Sequence, residues 1–237
     1  MDSRTVDNTA VDSRAVAAEF VGTAFLLAGV VGSGIMAERL SDDVGLRLLQ
    51  NALATAGVLL ALILTFGGVS GAHFNPAVTL AERFYGSIAT TTAGAYVAAQ
   101  LAGGAVGVIV ANLMFDLPAV NVSTRDRGDA NLVFAELIAT IGLLVIIAGT
   151  VRSGRASTVA ASVAGYIAGA YYFTSSTSFA NPAVTIARTL SDTFAGIEPA
   201  SAPAFVAAQL AAVAVTVPLM RFIYPDHPDA DHDRDEQ

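Results

Sequence analysis

The stretch SFANPAVTIAR, residues 178–188, repeats almost word for word AHFNPAVTLAER, residues 72–83, so that Asn-Pro-Ala-Val-Thr occurs twice. The duplication extends outward from these boxes. AEFVGTAFLLAG from Ala18 recurs as AELIATIGLLVIIAG from Ala135, and AAQLAGG from Ala98 recurs as AAQLAAV from Ala207, in the same order in both halves. Around these motifs lie six apolar runs, at 15–37, 48–66, 88–115, 132–151, 156–173 and 202–224, of the length needed to cross about 30 Å of hydrocarbon. The first box follows the second run and the other follows the fifth. With 54% hydrophobic and only 14% charged residues, the composition excludes an ordinary water-soluble globule and assigns the chain to a lipid bilayer.

Three spans per half is an odd number, so the second half is threaded through the membrane upside down, as an inverted repeat with a pseudo-two-fold axis in the membrane plane. The boxes then enter from opposite sides. Residues 75–84 and 181–190 each span roughly 15 Å as helix, half the hydrocarbon thickness. Asn75 and Asn181 are favoured N-caps, and Pro76 and Pro182 occupy the first helical position, where a missing N–H costs nothing. A lone Asn-Pro reads as a turn. Two at equivalent places in an inverted repeat read as two half-helices starting near mid-membrane, where irregular backbone survives only if protein buries it or a water-filled cavity solvates it. The expected fold is therefore all-α and integral to the membrane, with six transmembrane helices and two re-entrant half-helices.

These residues resemble the aquaporin and aquaglyceroporin, or major intrinsic protein, family. The resemblance rests on the boxes Asn75-Pro76-Ala77, within SGAHFNPAVT, and Asn181-Pro182-Ala183, with Glu19-x-x-x-Thr23 and Glu136-x-x-x-Thr140 at the two half-starts, and it covers residues 15–224. It implies a pore in every subunit, a homotetramer in the cell membrane, cytoplasmic termini, and passage of small neutral solutes without protons or ions. Opposed half-helix N-termini, each carrying about half a positive charge, disfavour cations at the pore centre. The Asn75 and Asn181 side chains accept the capping bond through oxygen and offer amide hydrogens as donors to the lumen.

Glu19 and Glu136 lie inside hydrocarbon-length spans, where a carboxylate signals function. A proton relay is one reading. The resemblance implies the other, an acceptor for backbone N–H groups of the re-entrant loops, and the spans supply no continuing chain of titratable partners. Gln100 and Gln209 read as internal hydrogen-bonding residues. His73 stands at a family position near the cytoplasmic mouth, as an anchor of the first loop or a pH gate. The Gly103-x-x-x-Gly107 and Gly165-x-x-x-Gly169 pairs suit close helix packing.

The residue after the second box is Arg in most of the family; here it is Val184. Counting from the boxes, the other family constriction positions fall on Thr55, Gly169 and Ser178, small residues that imply a wide, weakly polar filter. Arg188 follows Val184 by four residues on the same helical face. It enters the vestibule as a partial substitute, or it pairs with Asp192 or Glu198. The resulting expectation is a passive channel for water, glycerol-like polyols and neutral metalloid hydroxides such as arsenous acid. The alternatives are a water-selective pore closed by Arg188 or by aromatics of the second loop (Phe179, Tyr171, Tyr172), a secondary transporter, and a non-conducting protein.

No nucleophile–base pair, metal-ligand cluster or phosphate-cradling loop is visible, so the chain reads as a non-enzyme without cofactor, metal or nucleic-acid partner. All twelve basic residues are Arg, and no Cys is present. Residues 1–14 read as a polar N-terminal segment, the first span after it as too long and too poorly flanked to be a cleaved signal, and 131–224 as a second repeat matching 15–115. Residues 225–237 read as an acidic disordered tail, whose His227 and His232 form at most a weak metal site. Arg residues assigned inside (4, 14, 83, 152, 155, 221, 234) modestly outnumber those outside (39, 47, 125, 127, 188), so orientation rests on the resemblance.

Overall fold

A computed structural model describes residues 11–225. The expectations for the N-terminal segment before Val11 and for the acidic tail from residue 226, with His227 and His232, lie outside the described residues. Eight helices follow in order: α1 Ser13–Leu40, α2 Val44–Ser70, α3 Pro76–Tyr85, α4 Thr90–Met114, α5 Ala130–Arg152, α6 Val159–Phe173, α7 Pro182–Ala187 and α8 Ala202–Ile223. Five of them (α1, α2, α4, α5 and α8) are long and apolar enough to cross a membrane. The sixth span, α6, is shorter: its 15 residues rise only about 22 Å, and a 3₁₀ turn at Ala156–Thr158 leads into it.

The helices start where side chains can answer the first free N–H groups. Asp12 Oδ1 accepts from Arg14 N at 2.8 Å, and Asp43 Oδ1 from Leu46 N at 2.7 Å. α2 ends on Gly71 at φ 84°, a left-handed cap that glycine adopts without a Cβ penalty.

Packing repeats between halves. α1 lies against α4 and α5 against α8, while α3 touches α4 and α8, and α7 touches the same two. The α1–α4 contact is close because Gly103 and Gly107 have no side chains. A Cβ on Gly103 would run into the Phe20 carbonyl oxygen, and one on Gly107 into that of Ala24. The Gly165–Gly169 pair behaves differently: both are exposed on α6, and a Cβ on either meets nothing within 4 Å among the described residues. That pair does not mediate packing inside the subunit, because the inward stripe of α6 runs through Ala160, Val163, Ala164, Ile167, Ala170 and Tyr171 instead.

The second half-helix is shorter than the sequence spacing predicts. α7 stops at Ala187 and continues as a 3₁₀ turn over Arg188–Leu190. Beyond it the chain is tied to the α4–α5 connection: Thr189 O accepts from Ser123 N at 2.9 Å, and Leu190 O from Asn121 N at 3.0 Å. Asn112 Nδ2 adds a 3.1 Å bond to Leu190 O.

Gly107→Val forces α1 and α4 apart and lowers the thermal unfolding midpoint of the detergent-solubilised protein, by a free energy of about 1–3 kcal/mol for overpacking. Gly165→Ala, mid-helix with open space around the new methyl, does not lower the midpoint in the same differential scanning fluorimetry and raises it by the helix-propensity gain of up to about 1 kcal/mol.

Candidate functional site: a polar thread between two re-entrant loops

Two loops, 71–75 and 174–181, meet between the helix pairs, and their backbones follow the same unusual path. Ala72 and Phe74 have φ of 51° and 48°, and the equivalent Ser178 and Ala180 have φ of 53° and 48°. Non-glycine residues in this left-handed region cost on the order of 1–2 kcal/mol each, so the surroundings must hold them there.

Two fully buried carboxylates do so. Glu19 Oε1 accepts from His73 N at 2.9 Å and Ser70 Oγ at 2.6 Å, and Oε2 from Phe74 N at 2.7 Å and Gln100 Nε2 at 2.8 Å. Glu136 accepts from Phe179 N at 2.8 Å through Oε1, and from Ala180 N at 2.8 Å and Gln209 Nε2 at 2.6 Å through Oε2. Each glutamine also reaches the threonine of its box: Gln100 Nε2 lies 2.9 Å from Thr79 Oγ1, and Gln209 Nε2 2.8 Å from Thr185 Oγ1. A buried carboxylate is tolerable when its lone pairs are met by donors, and here those donors include loop N–H groups that no helix or strand satisfies.

The asparagines close the arrangement. Asn75 Oδ1 caps α3 by accepting from Ala77 N at 2.9 Å, and Asn181 Oδ1 caps α7 by accepting from Ala183 N and Val184 N at 2.9 and 3.2 Å. Their amides cross over: Asn75 Nδ2 donates to Ala180 O and Asn181 Nδ2 to Phe74 O, both at 2.8 Å. One hydrogen of each amide is thus committed to the opposite loop, and the other remains.

A cavity of about 570 Å³ passes this point. Its lining runs from Glu82 and Ser157 at the α3 end, past His73, Asn75 and Asn181, to Ser178, Phe179, Val184 and Arg188 at the α7 end. His73 lies half-buried on this wall, its Nδ1 3.1 Å from Thr79 Oγ1 and its ring edge-on to Tyr96 with centroids 5.4 Å apart. Thr55, Ser178 and Val184 are buried and line the cavity together. Gly169 does not join them. Spacing from the second box places it at the constriction, whereas the structure turns it outward and puts Tyr171, two residues later, on the cavity wall with its hydroxyl 3.1 Å from Thr55 Oγ1. Counting back along the chain assumed a loop of fixed length; the helical face is set instead by the Val163, Ile167, Tyr171 stripe.

Two further corrections concern aromatic and charged groups. Tyr171 and Tyr172 close α6 and are not part of the loop, and Tyr172 is 52% exposed, away from the cavity. Arg188 pairs with neither Asp192 nor Glu198. It is 2% exposed, its Nε donates to Ala195 O, and its guanidinium carbon lies 3.4 Å from the centroid of the Phe179 ring. Asp192 instead accepts from Thr124 N at 2.9 Å. The sequence reading missed Arg127, whose guanidinium reaches into this end from the α4–α5 connection.

The chain matches the family model described as Major intrinsic protein over residues 5–175. It is 44% identical over 211 residues to the aquaglyceroporin AqpS of Rhizobium meliloti, covering 89% of this chain and 90% of that protein. It is 32% identical over 176 residues to a probable aquaporin, TIP-type alpha, of Phaseolus vulgaris, covering 70% and 69%. Its fold matches the X-ray structure of the aquaglyceroporin from Plasmodium falciparum with a TM-score of 0.68 at 22% identity, covering 90% of this chain and 96% of that one.

Glu136→Leu strands the Phe179 and Ala180 N–H groups in a dry interior, at a cost of about 1–3 kcal/mol for each. The variant therefore unfolds in detergent at a markedly lower temperature than the parent. Glu136→Gln keeps one acceptor oxygen and falls between the two.

Proposed function

The chain belongs to the major intrinsic protein family, and on that premise we propose that the cavity between its two re-entrant loops is a pore wide enough for glycerol-like polyols and neutral metalloid hydroxides such as arsenous acid, with water passing alongside. That the protein is a multi-pass membrane protein and a passive channel for water or small solutes follows from the family and its relatives. The finer reading is carried by one observation. The side chain after the second box, Val184, is a small apolar group on the cavity wall, on a lining that also includes Thr55 and Ser178, while the lining imidazole, His73, belongs to the first loop and sits against Thr79.

The roles follow from the chemistry of each group. The remaining amide hydrogens of Asn75 and Asn181 donate to passing oxygens and orient them, which interrupts a continuous donor-to-acceptor chain. The facing N-termini of α3 and α7 disfavour cations at the same level. Glu19 and Glu136 are loop supports and not proton carriers, because the donors they accept from are loop N–H groups, a serine hydroxyl and glutamine amides. His73, held by Thr79, anchors the first loop. In this reading the protein works as a homotetramer in the cell membrane with both termini in the cytoplasm.

A water-only channel is the second reading, favoured by Arg188 and Phe179 lining the α7 end of the cavity. Stopped-flow light scattering on proteoliposomes separates the two. The parent takes up glycerol and arsenous acid as well as water, and Val184→Arg loses at least about tenfold of its glycerol permeability while water flux persists, an effect of ~1.4 kcal/mol on the barrier. A parent that passes water alone supports closure by Arg188 or Phe179 and defeats the wide-pore reading. Flux that depends strictly on a proton or sodium gradient supports a transporter instead.

A further inference from the structure

Two guanidinium groups converge on one aromatic ring at the α7 end of the cavity. The guanidinium carbon of Arg188 lies 3.4 Å from the Phe179 ring centroid and that of Arg127 lies 5.1 Å from it. The ring is 4% exposed and packs edge-on against Phe205, centroids 5.3 Å apart. Neither arginine has a carboxylate within ion-pair distance among the described residues. The acids of the neighbouring connections are engaged elsewhere: Asp126 accepts from Gly128 N at 2.7 Å, Asp192 from Thr124, and Glu38 from Phe194 N at 2.9 Å.

The two arginines are tethered to different degrees. Arg127 donates to three carbonyls, from Nε to Gly196 O at 2.9 Å, Nη1 to Ser176 O at 3.3 Å and Nη2 to Phe194 O at 3.5 Å. Burial pushes its pKa down to about 10, so it remains charged at neutral pH. Among the described residues Arg188 has one acceptor, Ala195 O, for its five N–H groups, and it lines the cavity. A guanidinium is weakly hydrated and stacks readily on an aromatic face, so Phe179 is the surface that keeps this second cation out of the bore.

We propose that Phe179, its ring fixed in turn by Arg127, is the positioning residue that holds Arg188 against the cavity wall, and that Arg188 so held presents its free N–H groups to oxygen-rich neutral solutes without crossing their path. This rests on the neutral-solute reading above. Ser178, whose buried Oγ has no protein partner, lines the same cavity and adds a second polar group to its wall. Without the Phe179 ring, the Arg188 charge finds its remaining solvation in the lumen, and the side chain swings across toward Val184. A solute the size of glycerol is then obstructed more than water.

The experiment is a double-mutant cycle read as the ratio of glycerol to water permeability in proteoliposomes, on variants that elute as a single species in detergent. Phe179→Leu lowers the ratio about tenfold and Arg127→Gln about threefold in the same direction, reflecting partial loss of the clamp. In an Arg188→Leu background both substitutions leave the ratio where Arg188→Leu alone sets it, because there is no cation left to release. General loosening of the loops would lower the ratio equally in both backgrounds, and that result overturns the proposal. An unchanged ratio in both single variants overturns it too. If Phe179→Leu does not fold, Arg127→Gln alone decides by the same comparison. A parent that passes no glycerol defeats the neutral-solute reading itself, whereas a permeable parent with unresponsive variants defeats only the clamp.

Discussion

The structure depends on a carboxylate placed where carboxylates are expensive. A pore through a bilayer needs non-helical backbone at mid-membrane, and such backbone exposes N–H groups that hydrocarbon cannot satisfy. Glu19 and Glu136 answer them from neighbouring helices, fully buried, with four donors on the first and three on the second. Those contacts fix loops in which five non-glycine residues, Ala72, Phe74, Thr177, Ser178 and Ala180, sit at positive φ. The asparagine caps, the short helices and the cavity beside them all presuppose that these loops stay in place.

Much of this was legible in the sequence because the constraint leaves few choices of residue. Asn-Pro at a helix start, repeated after an odd number of spans, required two half-helices meeting from opposite sides, and glutamates inside apolar runs required partners. The helix bounds of α1, α2, α4, α5 and α8 lie within a few residues of the apolar runs, since hydropathy marks where chain enters and leaves lipid. The failures share a cause. Gly169 was placed by counting through a loop, yet which residue of α6 faces inward is a matter of helix rotation, set by packing against α2 and α5. Arg127 gave no signal at all: a basic residue in a polar connection looks like any solvated charge until the fold brings the connection back over the α7 end. Arg188 left two readings open; it makes no ion pair with Asp192 or Glu198 and lies on the cavity wall against an aromatic face, a contact that charge counting does not consider.

The two halves are similar but not equal. Glu19 binds a serine hydroxyl in addition to its loop, and a histidine lines the wall beside it, whereas Glu136 serves two loop N–H groups and its glutamine. α3 runs for ten residues to a glycine cap, while α7 gives way after six to a 3₁₀ turn that brings Arg188 inward. The duplicated framework supplies the passage, and the departures from symmetry supply a different chemistry at each mouth.

The reciprocal bonds from Asn75 to Ala180 O and from Asn181 to Phe74 O bear on how the chain is made. During synthesis the first 115 residues enter the bilayer before the second box exists. Until residues 178–181 arrive from the opposite face, the Asn75 amide and the Phe74 carbonyl have no counterparts, and the first loop is held only from within its own half, by Glu19, Ser70 and Thr79. The unit that folds is therefore the pair of halves. Insertion of the last three spans acts as a latch, and a chain truncated between the repeats would carry an unanswered polar loop in the membrane, the kind of defect that quality control in the cell is equipped to recognise.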